Sequence, residues 1–130
     1  MPSLKKILHV DDDHVMRMMT RTALVRSGLG FEVESCSSAR EGLDKISAFA
    51  PDLLLVDMIM PIMDGPSFVR SVRQSGQAYN QTPVVFITGK DEIDFGDRNA
   101  LDPILGILRK PFSASQLGND LVTLWGTYSK

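Results

Sequence analysis

Short apolar runs alternate along the chain with longer stretches of helical periodicity. Ile7 to Val10, Phe31 to Cys36, Leu53 to Val56, Val84 to Thr88 and Leu105 to Arg109 read as five strands, and five segments between and after them read as helices. The first, third and fourth runs are almost uninterrupted in apolar character, as strands covered by helices on both faces must be, so these three are expected at the centre of a sheet. The second alternates, Phe31-Glu32-Val33-Glu34, and is expected at an edge. Regular alternation of strand and helix implies an α/β fold with a parallel sheet and right-handed crossovers.

Helix starts are marked by Ser38 with Glu41 and by Ser113 with Gln116, both in capping-box spacing. The helix opened by Ser113 places Leu117, Leu121, Leu124, Trp125 and Tyr128 on one stripe, read as core-facing. In the first helix Met16, Met19, Ala23 and Leu24 read as the inward stripe, which leaves Val15, Met18, Thr22 and Val25 as an outward apolar row. The fourth helix, within Asp91 to Leu101, is weakly specified: Gly96 interrupts it, and only Ile93, Ala100 and Leu101 form a partial stripe. It is expected to be short or mobile.

A length of 130 residues suits a single domain with one core, here expected to span 1–130 with no output domain. With 14 basic against 16 acidic residues, the net charge of −2 gives no electrostatic reason to expect direct nucleic-acid or membrane-surface binding. Cys36 is alone, so no internal disulfide can form, and no signal peptide is legible; a reducing, cytoplasmic setting is expected. No apolar run approaches the ~20 residues that a membrane span requires.

The candidate chemistry is positional. Asp11 and Asp12 follow the first strand, Asp57 ends the third, Thr88 the fourth and Lys110 the fifth, all at carboxyl ends, where doubly wound sheets bind ligands. Converging carboxylates repel unless a cation joins them, and oxygen donors suit magnesium, which commonly completes its sphere with phosphate. A lysine and a hydroxyl beside them can hold phosphoryl oxygens, and a carboxylate can itself be the nucleophile that forms an acyl phosphate. Asp57 is the best placed. Asp13 reads as a helix cap, Asp64-Gly65 as a turn and helix start, and His9 and His14 as packed or solvated side chains. Thr88-Gly89-Lys90 lacks the earlier glycine of a phosphate loop.

Val10-Asp11-Asp12-Asp13, the stretch Asp57-Met58-Ile59-Met60-Pro61-Ile62-Met63-Asp64-Gly65, Thr88, and Lys110-Pro111-Phe112 together resemble a response-regulator receiver domain, of the stand-alone, chemotaxis-regulator-like kind, over essentially the whole chain. The resemblance implies a three-layer, doubly wound, flavodoxin-like sheet in the order 2-1-3-4-5. It makes Asp57 the phosphorylation site, Asp12 a direct magnesium ligand, Asp11 a ligand through water, and the backbone carbonyl of Ile59 a further ligand. Thr88 would bind the phosphoryl oxygen and move on activation, and Lys110 would pair with the phosphoryl charge. The Lys110–Pro111 bond is commonly cis in the family.

Implied partners are a histidine kinase or phosphotransfer protein and a downstream target, and the outward apolar row of the first helix makes Val15, Met18 and Thr22 the expected contacts with the donor. Two positions depart from the pattern. Ile107 stands where the family usually has an aromatic switch, so a local reordering of Gly89 to Asp97 is expected to carry the signal instead. Ile59, two beyond Asp57, offers apolar cover and not a group that orients water, which implies a long-lived phosphoryl state; Lys90 is the other variable neighbour. Competing readings are a receiver-like interaction module that is not phosphorylated, a flavodoxin-like cofactor binder and an aspartyl-phosphate phosphatase. The complete set of five side chains argues against the first, and acids in place of a phosphate loop after the first strand argue against the second.

Overall fold

The runs at Leu53–Val56 and Val84–Ile87 have no polar face to offer water, and both are buried along their whole length. The computed structural model describes residues 3–89 and 95–129. Its strands are β1 (Lys6–Val10), β2 (Glu32–Cys36), β3 (Leu53–Asp57), β4 (Val84–Thr88) and β5 (Ile104–Arg109). They form one parallel sheet in the order β2-β1-β3-β4-β5, with β2 at an edge and β1, β3 and β4 central, as the sequence pattern predicts. Helices α1 (His14–Val25), α2 (Ala39–Phe49), α3 (Gly65–Arg73) and α4 (Ala114–Tyr128) complete a three-layer, flavodoxin-like fold.

Alternation along each strand divides the core in two. Leu8, Val10, Leu54, Val56 and Phe86 pack with Ile46 of α2 and Phe68, Val69 and Val72 of α3. Ile7, Leu53, Leu55, Val85 and Ile87 pack with Leu24 of α1 and Leu117 and Leu121 of α4. Burial on both faces fixes strand register, because a slip of one residue would exchange the two layers. Register in turn sets which residues arrive at the carboxyl edge. No helix among the described residues is long and apolar enough to cross a membrane.

Several details differ from the sequence pattern. Where the sequence pattern predicts the fourth of five helices, within Asp91 to Leu101, the described residues contain a single 3₁₀ turn, Arg98–Leu101; residues 91–94 and Lys90 lie outside the described residues, as does that part of the expected reordering segment. In α1 the inward positions are Thr20 and Leu24, whereas Met19 is 55% exposed. Leu24 fixes the helix phase, and the residue four before it, Thr20, turns inward with it although it is polar. In α4, Leu117 and Leu121 are buried, but Tyr128 is exposed at the helix end, its ring 5.8 Å from Trp125. Ser38 caps α2 by accepting from the Glu41 amide at 3.1 Å. The Ser113 hydroxyl instead meets the Ser115 hydroxyl at 3.0 Å and makes no side-chain cap to α4.

Candidate functional site

The carboxyl ends of β1, β3, β4 and β5 converge at one edge of the sheet, with β1 and β3 as neighbours at the point where strand order reverses. Asp11 leaves β1 and Asp57 ends β3. Among the described residues, Asp11, Asp12 and Asp57 bring one carboxylate oxygen each within 4.8 Å of one another. Asp57 is only 6% exposed, Asp11 is fully buried and Asp12 lies open to solvent. Lys110 reaches back from the residue after β5 and places Nζ 3.1 Å from Asp57 Oδ2. Thr88 is buried at the end of β4, and its carbonyl accepts from the Lys110 amide at 2.7 Å, which ties these two residues together. The Lys110–Pro111 bond is cis. Ile59 lies on the loop just beyond β3, its side chain 53% exposed.

Local structure holds the acids in place. Asp13 caps α1, its Oδ1 accepting from the amides of Val15 and Met16 at 3.0 and 3.1 Å, so that one of the three consecutive acids serves the helix. Asp11 Oδ1 accepts from the Asp13 amide at 2.9 Å, while its Oδ2 is buried with no hydrogen-bond partner. Burial, the first cause, and the neighbouring Asp57 charge raise the Asp11 pKa to about 6 against the opposing effect of the Asp13 amide. An all-oxygen donor set with a buried, unpartnered carboxylate oxygen fits a hard divalent cation such as magnesium.

Three further residues, outside the set that the sequence pattern singles out, shape the site. His9 is fully buried with both ring nitrogens unpartnered, its Nε2 4.0 Å from Asp11 Oδ2. Burial, then the positive charges of Arg17 and Lys110, lower its pKa to about 4, so it stays neutral at neutral pH. Arg17 donates from Nη1 to the Asp11 carbonyl at 2.9 Å and pins the β1–α1 loop; its place one turn into the helix behind three acids was the available signal. Gly65 starts α3 beneath the Asp64 cap, where Asp64 Oδ1 accepts from the Ser67 amide at 2.9 Å. It also lies against Asp57: a Cβ there would collide with the Asp57 backbone carbonyl oxygen and sit 3.1 Å from Met58 Cα. Backbone atoms cannot swing aside as a side chain can. Gly65→Ala is therefore expected to destabilise the fold by about 2–3 kcal/mol, the scale of a strained overpacked site, read as a lower urea midpoint at unchanged slope. An unchanged midpoint would mean that the close approach is not required.

Of the sequence-predicted residues, Asp11, Asp12, Asp57, Thr88 and Lys110 are brought to one place, and His14 lies at the surface against Arg17. Ile107 pairs in register with Phe86, whose ring lies 5.3 Å from that of Phe95. An aromatic pair thus sits one strand away from the position where the family usually has its ring.

Comparison with known proteins gives a consistent result. A family model for the response regulator receiver domain matches residues 7–121. Response regulator MprA of Mycolicibacterium vanbaalenii is 34% identical over 116 residues, covering 86% of this chain and 46% of that protein. The alkaline phosphatase synthesis transcriptional regulatory protein PhoP of Bacillus subtilis is 31% identical over 120 residues, covering 87% and 45%. The chain spans a little under half the length of these relatives. Among solved structures, the chemotaxis protein CheY4 of Vibrio cholerae superposes with a TM-score of 0.79 at 31% identity, over 94% of this chain and 99% of that one.

Proposed function

The chain belongs to the response regulator receiver-domain family, and from that premise we propose that Asp57 accepts a phosphoryl group from a phosphohistidine on a histidine kinase or phosphotransfer protein. The observation that carries this reading is the Lys110 ammonium 3.1 Å from a nearly buried Asp57 carboxylate, with Asp11 and Asp12 converging beside it. An Asp57 oxygen forms the new bond to phosphorus as the phosphorus–nitrogen bond to the histidine breaks, and the departing imidazole keeps the electron pair and takes up a proton. Lys110 offsets negative charge on the transferring oxygens, and the Thr88 hydroxyl donates to one of them. Asp11, Asp12 and Asp57, with the Ile59 carbonyl, would hold magnesium, which supplies further neutralisation of phosphoryl charge when bound. The chain is a phosphoacceptor that assists its own phosphorylation and dephosphorylation, and it switches contacts with a downstream target. Retention of all five side chains disfavours an unphosphorylated interaction module.

The donor surface lies on α1, where Val15, Met18 and Thr22 face solvent. Beside them run two apolar hollows, one of about 280 Å³ lined by Met16, Met19, Pro111 and Phe112 with Lys110, the other of about 350 Å³ lined by Met18, Met19, Thr22 and Ala23. Met19, outward contrary to the sequence pattern, joins the two. Flexible, polarizable methionines suit contact with a helical partner. A small phosphodonor bypasses that surface and tests the chemistry alone. Acetyl phosphate with magnesium is expected to phosphorylate the chain, and excess EDTA is expected to suppress the reaction at least tenfold; equal labelling in EDTA would contradict the role assigned to the three acids.

A further inference from the structure

We propose that Ile62 is a specificity-determining contact for the phosphodonor protein, seated in an apolar hollow of the donor's surface beside its phosphorylated side chain; this rests on the phosphoacceptor reading of Asp57. The backbone at Ile62 has φ +72°, and the Met63 amide donates across it to the Pro61 carbonyl at 2.8 Å. A bond from residue i+2 back to residue i around a positive φ is the mark of the rare, strained γ-turn. A β-branched residue is among the least tolerant of positive φ, because its branch crowds the backbone there. Ile62 is also fully exposed, so the free protein gains no burial in return for that conformation.

The loop leaves Ile62 no inward alternative. Met58 and Met60 before it are buried, Met63 after it packs on the same apolar layer, and the Gly65 amide closes the loop onto the Met58 carbonyl at 2.9 Å. The isoleucine therefore stands on a rigid tip anchored from both sides. A pre-formed apolar tip loses little conformational freedom on binding, which is the condition under which one side chain contributes most to recognition.

Geometry selects the occupant. Asp57 is 6% exposed and Lys110 covers one of its oxygens, so a donor must bring phosphorus to bonding distance of a recessed carboxylate. Its surface then lies over the loop that begins at the next residue and carries both Ile59 and Ile62. A downstream target has no such obligation to approach the carboxylate. Strain kept at an exposed residue beside a reacting group points to a functional contact.

The test uses purified, autophosphorylated histidine-kinase fragments from the organism that carries this chain. The fragment that transfers fastest to the wild type serves as donor. Ile62→Gly and Ile62→Ser are expected to slow transfer from that kinase tenfold or more, and Ile62→Val to stay within twofold. All three are expected to be labelled by acetyl phosphate at the wild-type rate, and Ile62→Gly, which adopts positive φ without strain, to melt at a higher temperature. Slower transfer to a more stable protein separates lost contact from lost folding. Transfer to Ile62→Gly and Ile62→Ser within twofold of wild type overturns the proposal. So does a wild type labelled by acetyl phosphate but by none of the kinases. Failure of acetyl phosphate to label the wild type would instead overturn the phosphoacceptor reading, and this proposal with it.

Discussion

Lys110→Ala is expected to slow phosphorylation by acetyl phosphate about 10²–10³-fold, the usual cost of removing one positioned donor from a developing anion. The Lys110 ammonium is the described cation in direct contact with Asp57, 3.1 Å from Oδ2, and it sits where incoming phosphoryl oxygens bring further negative charge to three carboxylates. Lys110→Arg is expected to recover little of the rate. A planar guanidinium cannot occupy the position of a compact ammonium held between a carboxylate and a transferring group. Rates of labelled-protein formation at saturating magnesium measure both variants; an alanine variant within threefold of wild type would remove Lys110 from the chemistry.

Asp11→Asn is expected to act in opposite directions on stability and on metal binding. With metal absent, burial and Asp57 raise the Asp11 pKa from 3.8 in the unfolded chain to about 6 in the fold. The folded state then holds a proton that the unfolded state has released, so this group makes stability fall as pH rises between about 4 and 6, with the full cost present above that window. Asparagine removes the cost, and Asp11→Asn should be more stable than wild type by about 2 kcal/mol at pH 7.5 in EDTA, allowing for partial relaxation of the site. In excess magnesium the order should narrow or reverse, because a ligand that binds only the native state stabilises wild type more. His9 contributes with the other sign. Its pKa falls from 6.5 to about 4, so stability is lost as pH drops through that range. In wild type the two effects partly cancel, and Asp11→Asn should expose the His9 effect as a steeper loss on acidification. Urea unfolding at several pH values, with EDTA or magnesium, reads all of this; equal stability in EDTA would contradict the repulsive cluster.

The strands were the most legible part of the fold, because a run such as Leu53–Val56 admits one environment. Strand order is legible only in part: periodicity puts β2 at an edge and β1, β3 and β4 at the centre, whereas the full order 2-1-3-4-5 follows from the resemblance carried by the Asp57–Gly65 stretch and Lys110-Pro111. Polarity marks the inward face of a helix only where polarity and phase agree. Thr20 turns inward because Leu24 sets the phase, and Met19 is left in solvent, where it lines both apolar hollows beside α1. Ser113 has the spacing of a cap but bonds Ser115, since a hydroxyl takes whichever partner lies nearer.

At the site the acids and Lys110 were legible from their places at strand ends. His9 was not, because a histidine inside an apolar strand looks the same whether it has a partner or, as here, two unpartnered nitrogens beside a carboxylate. Gly65 was legible as a helix start, whereas its pressure on the Asp57 carbonyl depends on the return of the loop, which no local pattern records.

Intact mass after incubation with magnesium and acetyl phosphate shows whether Asp57 is the residue that takes the phosphoryl group. Wild type should gain the mass of one phosphoryl group, and Asp57→Asn, which keeps the size of the side chain but removes the nucleophilic carboxylate, should gain none. The same gain in both proteins would place the phosphoryl group on a residue other than Asp57.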